Sequence, residues 1–213
     1  MTAPGSAGVT RMSRVGVLVS GRGSNLQALI DAQREGALGG EIALVVSNVE
    51  GAPALERARA AGIPAECSPH QGRPREDHDR ALLALLARHK VELVCLAGYM
   101  RLLSPVLLGA YAGRILNVHP SLLPAFPGRE AQRQAWEHGV KVSGATVHLV
   151  EAALDAGPIV LQEAVAVREG DTVEKLSARI LEAEHRLYPR AVRIVLARQY
   201  RLEGRRVRLG AEA

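Results

Sequence analysis

Val15-Gly16-Val17-Leu18-Val19-Ser20-Gly21-Arg22-Gly23-Ser24-Asn25-Leu26 decides the architecture of this chain. Val15 to Val19 is an unbroken run of strand length, as in a strand buried on both faces. Ser20 to Gly23 is a glycine-rich turn, and Leu26, Leu29 and Ile30 then recur at helical spacing. A strand turning directly into a helix is the opening unit of a doubly wound α/β sheet. The alternation continues outward. Ile42 to Val46 reads as a strand, Ala54 to Ala61 as a helix stopped by Gly62, and the region near Ala65 as a short strand. After a loop from Ser68 to Pro74, Leu82, Leu85, Leu86 and His89 form a helical stripe, and Leu93 to Ala97 is another buried strand.

The second half changes character. Ile115 to Val118 is a strand running into His119-Pro120, and Pro124, Pro127 and Gly128 mark a long connection. Ala131 to His138 reads as a helix. Val142 to Val150 alternates, with Val147 and Leu149 on one face and Thr146 and His148 on the other. With Pro158 to Val167 as its partner, a mixed sheet is expected here. Asp171 with Glu174 resembles a capping box before a helix whose apolar stripe is Val173, Leu176, Ile180 and Leu187. The reading divides the chain into a flexible extension (1–13), one domain (14–200) and a last strand or tail (201–213).

At 213 residues, 47% hydrophobic and 23% charged, the chain has globular composition and enough length for a large core. No apolar window is long enough for a membrane span, and Met1 to Ser13 lacks the apolar run of a secretory signal. A cytoplasmic protein is expected. Cys67 and Cys95 end apolar stretches and read as buried thiols. Net charge is +5, carried by scattered arginines, and aromatics are only 3%. Stacking platforms for nucleic acid are therefore nearly absent, and no nucleic-acid partner is expected.

Four places carry chemistry. Gly21-Arg22-Gly23-Ser24-Asn25 can aim helix N-terminal amides at an anion. Leu26 replaces the third glycine of a dinucleotide fingerprint, and Ser47-Asn48 stands where an acidic residue would be needed, which disfavours NAD. A phosphate monoester suits the loop better, against the plain reading of a linking turn. Asn117 and His119 share one face of a strand end, where an amide and an imidazole could stabilise an oxyanion and move a proton. Asp155 is either a turn residue or the partner of that imidazole, which it would hold protonated. Glu184 falls in the middle of an apolar helical stripe. It needs either an arginine or a ligand hydroxyl or ammonium group. No Cys/His set has metal spacing.

Taken in order, Gly21 to Leu26, Leu96 to Pro105, Asn117 to Pro124, Gly144 to His148 and Asp155 to Ile159 resemble the phosphoribosylglycinamide formyltransferases of purine synthesis. The resemblance runs from about Val15 to about Arg190. It implies a Rossmann-like formyltransferase fold, with a nucleotide phosphate site in the N-terminal half and a folate site in the C-terminal half. Gly23, Ser24 and Asn25 would hold the phosphate of glycinamide ribonucleotide, and Glu184 its ribose hydroxyls. Met100, Arg101, Leu102 and Leu103 would line the pocket for 10-formyltetrahydrofolate as co-substrate, main-chain atoms reading the pterin. Arg75 matches a folate-contacting position more loosely. Asn117 and protonated His119 would stabilise the oxyanion, with Asp155 keeping His119 charged, so that activity falls as pH rises through the imidazole pKa. No metal is implied, and the chain would work as a monomer or homodimer. Arg22 and the stretch from Gly128 to Gln132 depart from the family pattern. A formyltetrahydrofolate hydrolase and a non-catalytic nucleotide-binding module are the competing readings.

Overall fold

The computed structural model describes residues 12–210. Five parallel strands come first: β1 (Ser13–Val19), β2 (Gly40–Ser47), β3 (Ala65–Cys67), β4 (Leu93–Leu96) and β5 (Ile115–His119). Helices α1 (Ser24–Arg34), α2 (Pro53–Ala60), α3 (Arg75–Arg88) and α4 (Pro105–Ala110) connect them in turn. After α5 (Ala131–Glu137), β6 (Val142–Leu149) pairs antiparallel with β5, and β7 (Ile159–Ala166) antiparallel with β6. Helix α6 (Val173–Leu196) leads to β8 (Tyr200–Glu203) and β9 (Arg206–Leu209). Among the described residues all nine strands form one sheet, in the order β3-β2-β1-β4-β5-β6-β7-β9-β8.

Alternation along β1 explains the layers. Val15, Val17 and Val19 face one cluster with Leu26, Leu29, Leu55, Ile180 and Val192, from α1, α2 and α6. Leu18 faces the opposite cluster with Leu82, Leu86 and Leu107, from α3 and α4. Both faces are covered, which is why the early strands read as continuous apolar runs. The chain steps outward from β1 to β3 and then restarts at β4 on the other side of β1. Such a reversal opens a crevice at the C-terminal ends of the strands.

Several expectations are corrected. Cys67 is exposed, because β3 is a three-residue edge strand; only Cys95 is buried. The cap of α6 is Thr172, whose hydroxyl accepts from the Lys175 N–H at 3.3 Å, and not Asp171. Asp171 instead accepts from the Arg168 N–H (2.7 Å) and pairs with Arg179. Of the strand or tail expected from position 201, strand is found: β9 docks beside β7, and the hairpin already begins at Tyr200. Ser13 already belongs to β1, where it pairs with Gly40 of β2, and the expected extension up to position 11 lies outside the described residues. Helix α4 has no counterpart in the sequence reading.

Candidate active site

The Gly-rich turn sits at the C-terminal end of β1, with Gly23 as N-cap of α1 at φ 76°. A side chain there would meet the left-handed region and the Ala54 Cβ, 2.7 Å from an added Cβ. Helix α2 grips the turn: the Ala54 N–H donates to the Gly21 carbonyl (3.1 Å) and Arg57 Nε to the Arg22 carbonyl (2.9 Å). Among the described residues no side chain caps α1, which leaves its first amides without a side-chain acceptor, as an anion site needs. Asn25 is turned elsewhere. Its Nδ2 donates to Glu184 Oε2 at 3.0 Å, tying α1 to α6.

Glu184 is 5% exposed. Burial pushes its carboxyl up to about 7, against the pull of the Asn25 hydrogen bond. Among the described residues no arginine partners it, and Asn25 stands in place of the expected salt bridge. The sign of the linkage follows. Folding favours the protonated acid, so the cost is absent below the ordinary carboxyl value of 4.5, grows as pH rises to about 7, and is constant above. Its size is on the order of 3 kcal/mol. Glu184→Gln keeps the acceptor for Asn25 and removes the titration. Thermal melts should show the variant more stable than the parent at pH 8 and the gap closing toward pH 5; a pH-independent gap would contradict a buried ionising carboxyl.

At the end of β5 the structure brings Asn117, His119 and Asp155 together. His119 is buried, and its Nδ1 lies 3.4 Å from Asp155 Oδ2. Its Nε2–H donates to the Phe126 carbonyl at 2.8 Å. Asp155 Oδ2 also accepts from the Gly128 N–H (2.7 Å). Both holding residues are in the left-handed region, Phe126 at φ 53° and Asp155 at φ 48°, a conformation the surrounding loops must enforce. Burial works to raise the Asp155 carboxyl, but the neighbouring His148 imidazole, the Gly128 amide and the His119 imidazole outweigh it and hold it below its ordinary value.

The expectation of a raised imidazole pKa is corrected. Burial pushes His119 below its ordinary 6.5, and the Phe126 carbonyl and Asp155, which pull upward, fall short. Nearby His148 adds to the depression. The free protein therefore holds a neutral His119 beside an ionised Asp155 at neutral pH.

His148 is the site residue the sequence reading passed over. Strand register puts it directly opposite Asn117. Its Nδ1–H donates to the Leu149 carbonyl (2.9 Å), leaving Nε2 to accept from Asn117 Nδ2 (3.2 Å). Nε2 is also 3.7 Å from Asp155 Oδ1. Its signal was the polar face shared by Thr146 and His148, which has meaning only once β6 is paired with β5.

The candidate folate residues divide. Met100 and Leu102 are 73% and 53% exposed. Leu103 is buried in the α3–α4 cluster, so only its backbone is available. Arg101 reaches the 70–73 loop, donating to the His70 (3.5 Å) and Arg73 (3.3 Å) carbonyls, while its buried Nε has no partner among the described residues. Arg75 opens α3 and is exposed. No group of three or more His, Cys, Asp or Glu side chains could hold a metal ion among the described residues.

The doubly wound sheet gathers an amide, an imidazole and a carboxylate at one strand end, and residues 13–192 match the family described as formyl transferase. The chain belongs to that family. Its full-length similarity is to phosphoribosylglycinamide formyltransferases: it is 42% identical to the one from Bacillus subtilis (strain 168) over 87% of this chain and 95% of that protein. A crystal structure of glycinamide ribonucleotide transformylase 1 from Symbiobacterium toebii superposes with a TM-score of 0.92 at 56% identity, covering 93% of this chain and 94% of the other. The trifunctional purine biosynthetic protein adenosine-3 of Gallus gallus is 48% identical over 87% of this chain. There the match spans only 19% of the longer protein.

Proposed function

We propose that the protein transfers the formyl group of 10-formyltetrahydrofolate to the amine of glycinamide ribonucleotide, a step of purine biosynthesis. The observation that carries this reading is the meeting of Asn117, His119 and Asp155 at the strand edge that also holds the uncapped α1 N-terminus. The α1 amides take the phosphate and Glu184 the ribose hydroxyls. The backbone from Met100 to Leu103 lines the folate site.

The amine nitrogen attacks the formyl carbon, forming a C–N bond while the carbonyl becomes an oxyanion. Asn117, aimed by His148, donates to that oxygen. The amine proton passes to Nδ1 of His119, the nitrogen left unprotonated while Nε2–H holds the Phe126 carbonyl, and the Asp155 carboxylate beside Nδ1 stabilises the imidazolium. The C–N10 bond then breaks and the proton goes to the leaving nitrogen, so no net proton is consumed. A neutral His119 suits this order, since it must first accept.

Two free thiols without a disulfide suit a reducing compartment, and we infer a cytoplasmic enzyme. One chain carries every group named, which a monomer or a homodimer satisfies equally. The test is release of tetrahydrofolate from 10-formyltetrahydrofolate with glycinamide ribonucleotide or with water alone as acceptor. Release only with the ribonucleotide, with formylated product, is expected. Equal release in both tubes would make the protein a hydrolase; release in neither would overturn the catalytic reading.

A further inference from the structure

Between β4 and α4 the chain runs as a strap along the C-terminal edge of the sheet, fastened at two points by side chains from distant segments. At its start the Met100 N–H donates to Ser20 Oγ at 2.8 Å. The Ser20 hydroxyl proton is itself given to Asn48 Oδ1 (2.6 Å), so toward the strap this oxygen can only accept. At its far end the Ser104 N–H donates to Asp79 Oδ2 at 2.6 Å. Asp79 is fully buried, and Nδ1 of buried His78 lies 3.4 Å from its other oxygen. His78 is anchored in turn by Nε2 donating to the Ser68 carbonyl (2.8 Å).

The far clip is not a helix cap. Ser104 is the N-cap of α4, yet its hydroxyl makes no capping bond and has no partner among the described residues. Asp79 grips the Ser104 amide, which belongs to the strap and is not one of the free amides inside α4. Burying a carboxylate is a costly way to hold one amide. What it fixes is the place where the strap ends. Between the clips Met100 and Leu102 present their side chains to solvent while Leu103 plugs into the core, so the intervening peptide groups are set in one orientation.

We propose that Ser20 and Asp79 are positioning residues for the formyl donor, clamping the two ends of the 100–104 strap so that its peptide groups meet the flat, hydrogen-bonding edge of the donor's ring in one register. This rests on the reading that the strap lines the folate site. Ser20 also adjoins the Gly-rich turn, so one side chain joins the anion loop to the donor loop.

The experiment measures KM for each substrate, kcat and melting temperature for the parent enzyme, Ser20→Ala, Asp79→Ala, Asp79→Asn and Leu102→Glu. Loss of one hydrogen bond should raise KM for 10-formyltetrahydrofolate roughly three- to ten-fold in Ser20→Ala and in Asp79→Ala. KM for glycinamide ribonucleotide should stay unchanged, and kcat at saturating donor within about two-fold of the parent. Asp79→Asn retains an acceptor for Ser104 and should restore most of the donor affinity. Unchanged donor KM in both alanine variants, or an equal rise for both substrates, overturns the proposal. Leu102→Glu alters an exposed side chain in the middle of the strap. A donor KM unmoved there shows that the strap does not face the donor and overturns the underlying reading as well. A raised donor KM in Leu102→Glu with none in the clip variants removes the clips alone. Should Asp79→Ala not fold, Ser20→Ala decides.

Discussion

Asn117→Ala is expected to lower kcat by about 10²- to 10³-fold while leaving KM for both substrates near the parent values. The amide is half-buried at the end of β5, and one of its N–H bonds is committed to His148 Nε2 at 3.2 Å. That bond fixes the plane of the amide, so the remaining N–H is aimed before substrate arrives. A donor set in advance acts on charge that exists only in the transition state, and its loss appears in turnover and not in binding. The fold should survive, since β5 is held by pairing with β4 and β6. Steady-state kinetics with both substrates, alongside a melting curve, checks it. A ten-fold rise in either KM with unchanged kcat would assign Asn117 to ground-state binding instead.

Asp155→Asn should be about as damaging, lowering kcat by roughly 10²- to 10⁴-fold. An asparagine can still accept from the Gly128 amide, so the loop has reason to stay in place. What disappears is the negative charge 3.4 Å from His119 Nδ1. The pH profile gives a second readout. Burial holds the His119 pKa below 6.5, with Asp155 pulling the other way. If the neutral imidazole accepts the proton, kcat/KM is level above neutrality and falls as pH drops through the depressed pKa. Removing Asp155 removes an upward influence, so the acid limb of the variant should move to lower pH. A profile that falls on the alkaline side instead would restore the protonated imidazole as the active form. An acid limb that does not move would mean that the limb belongs to another group.

Much of this site was legible in the chain itself because its signals are local. The strand-turn-helix unit at Val15 to Leu26 placed the Gly-rich loop at a strand end, and the period-two spacing of Asn117 and His119 put them on one face. Glu184 stood out because a carboxylate interrupted a 3.6-period apolar stripe, and it is indeed buried. The misreadings share a different origin. Cys67 looked buried because an apolar stretch does not reveal that its strand lies at the sheet edge. His148 lay within the Gly144 to His148 motif but stood out in no way as a site residue, since its partner is 31 residues away across an antiparallel register. Asp79 and Ser20 passed unnoticed because a hydrogen bond to a distant amide leaves no periodic trace.

Periodicity, glycine placement and the order of motifs thus determined the α/β class, the position of the Gly-rich loop and the candidacy of Asn117, His119, Asp155 and Glu184. These are properties of neighbouring residues, and backbone geometry converts them directly into strands, turns and faces. Tertiary structure alone decided the charge state of His119, because two opposing influences act there and their balance depends on how deeply the ring is buried. It alone brought Asp155, His148 and the Phe126 carbonyl onto one site, since packing, and not spacing along the chain, sets which distant polar groups must satisfy one another.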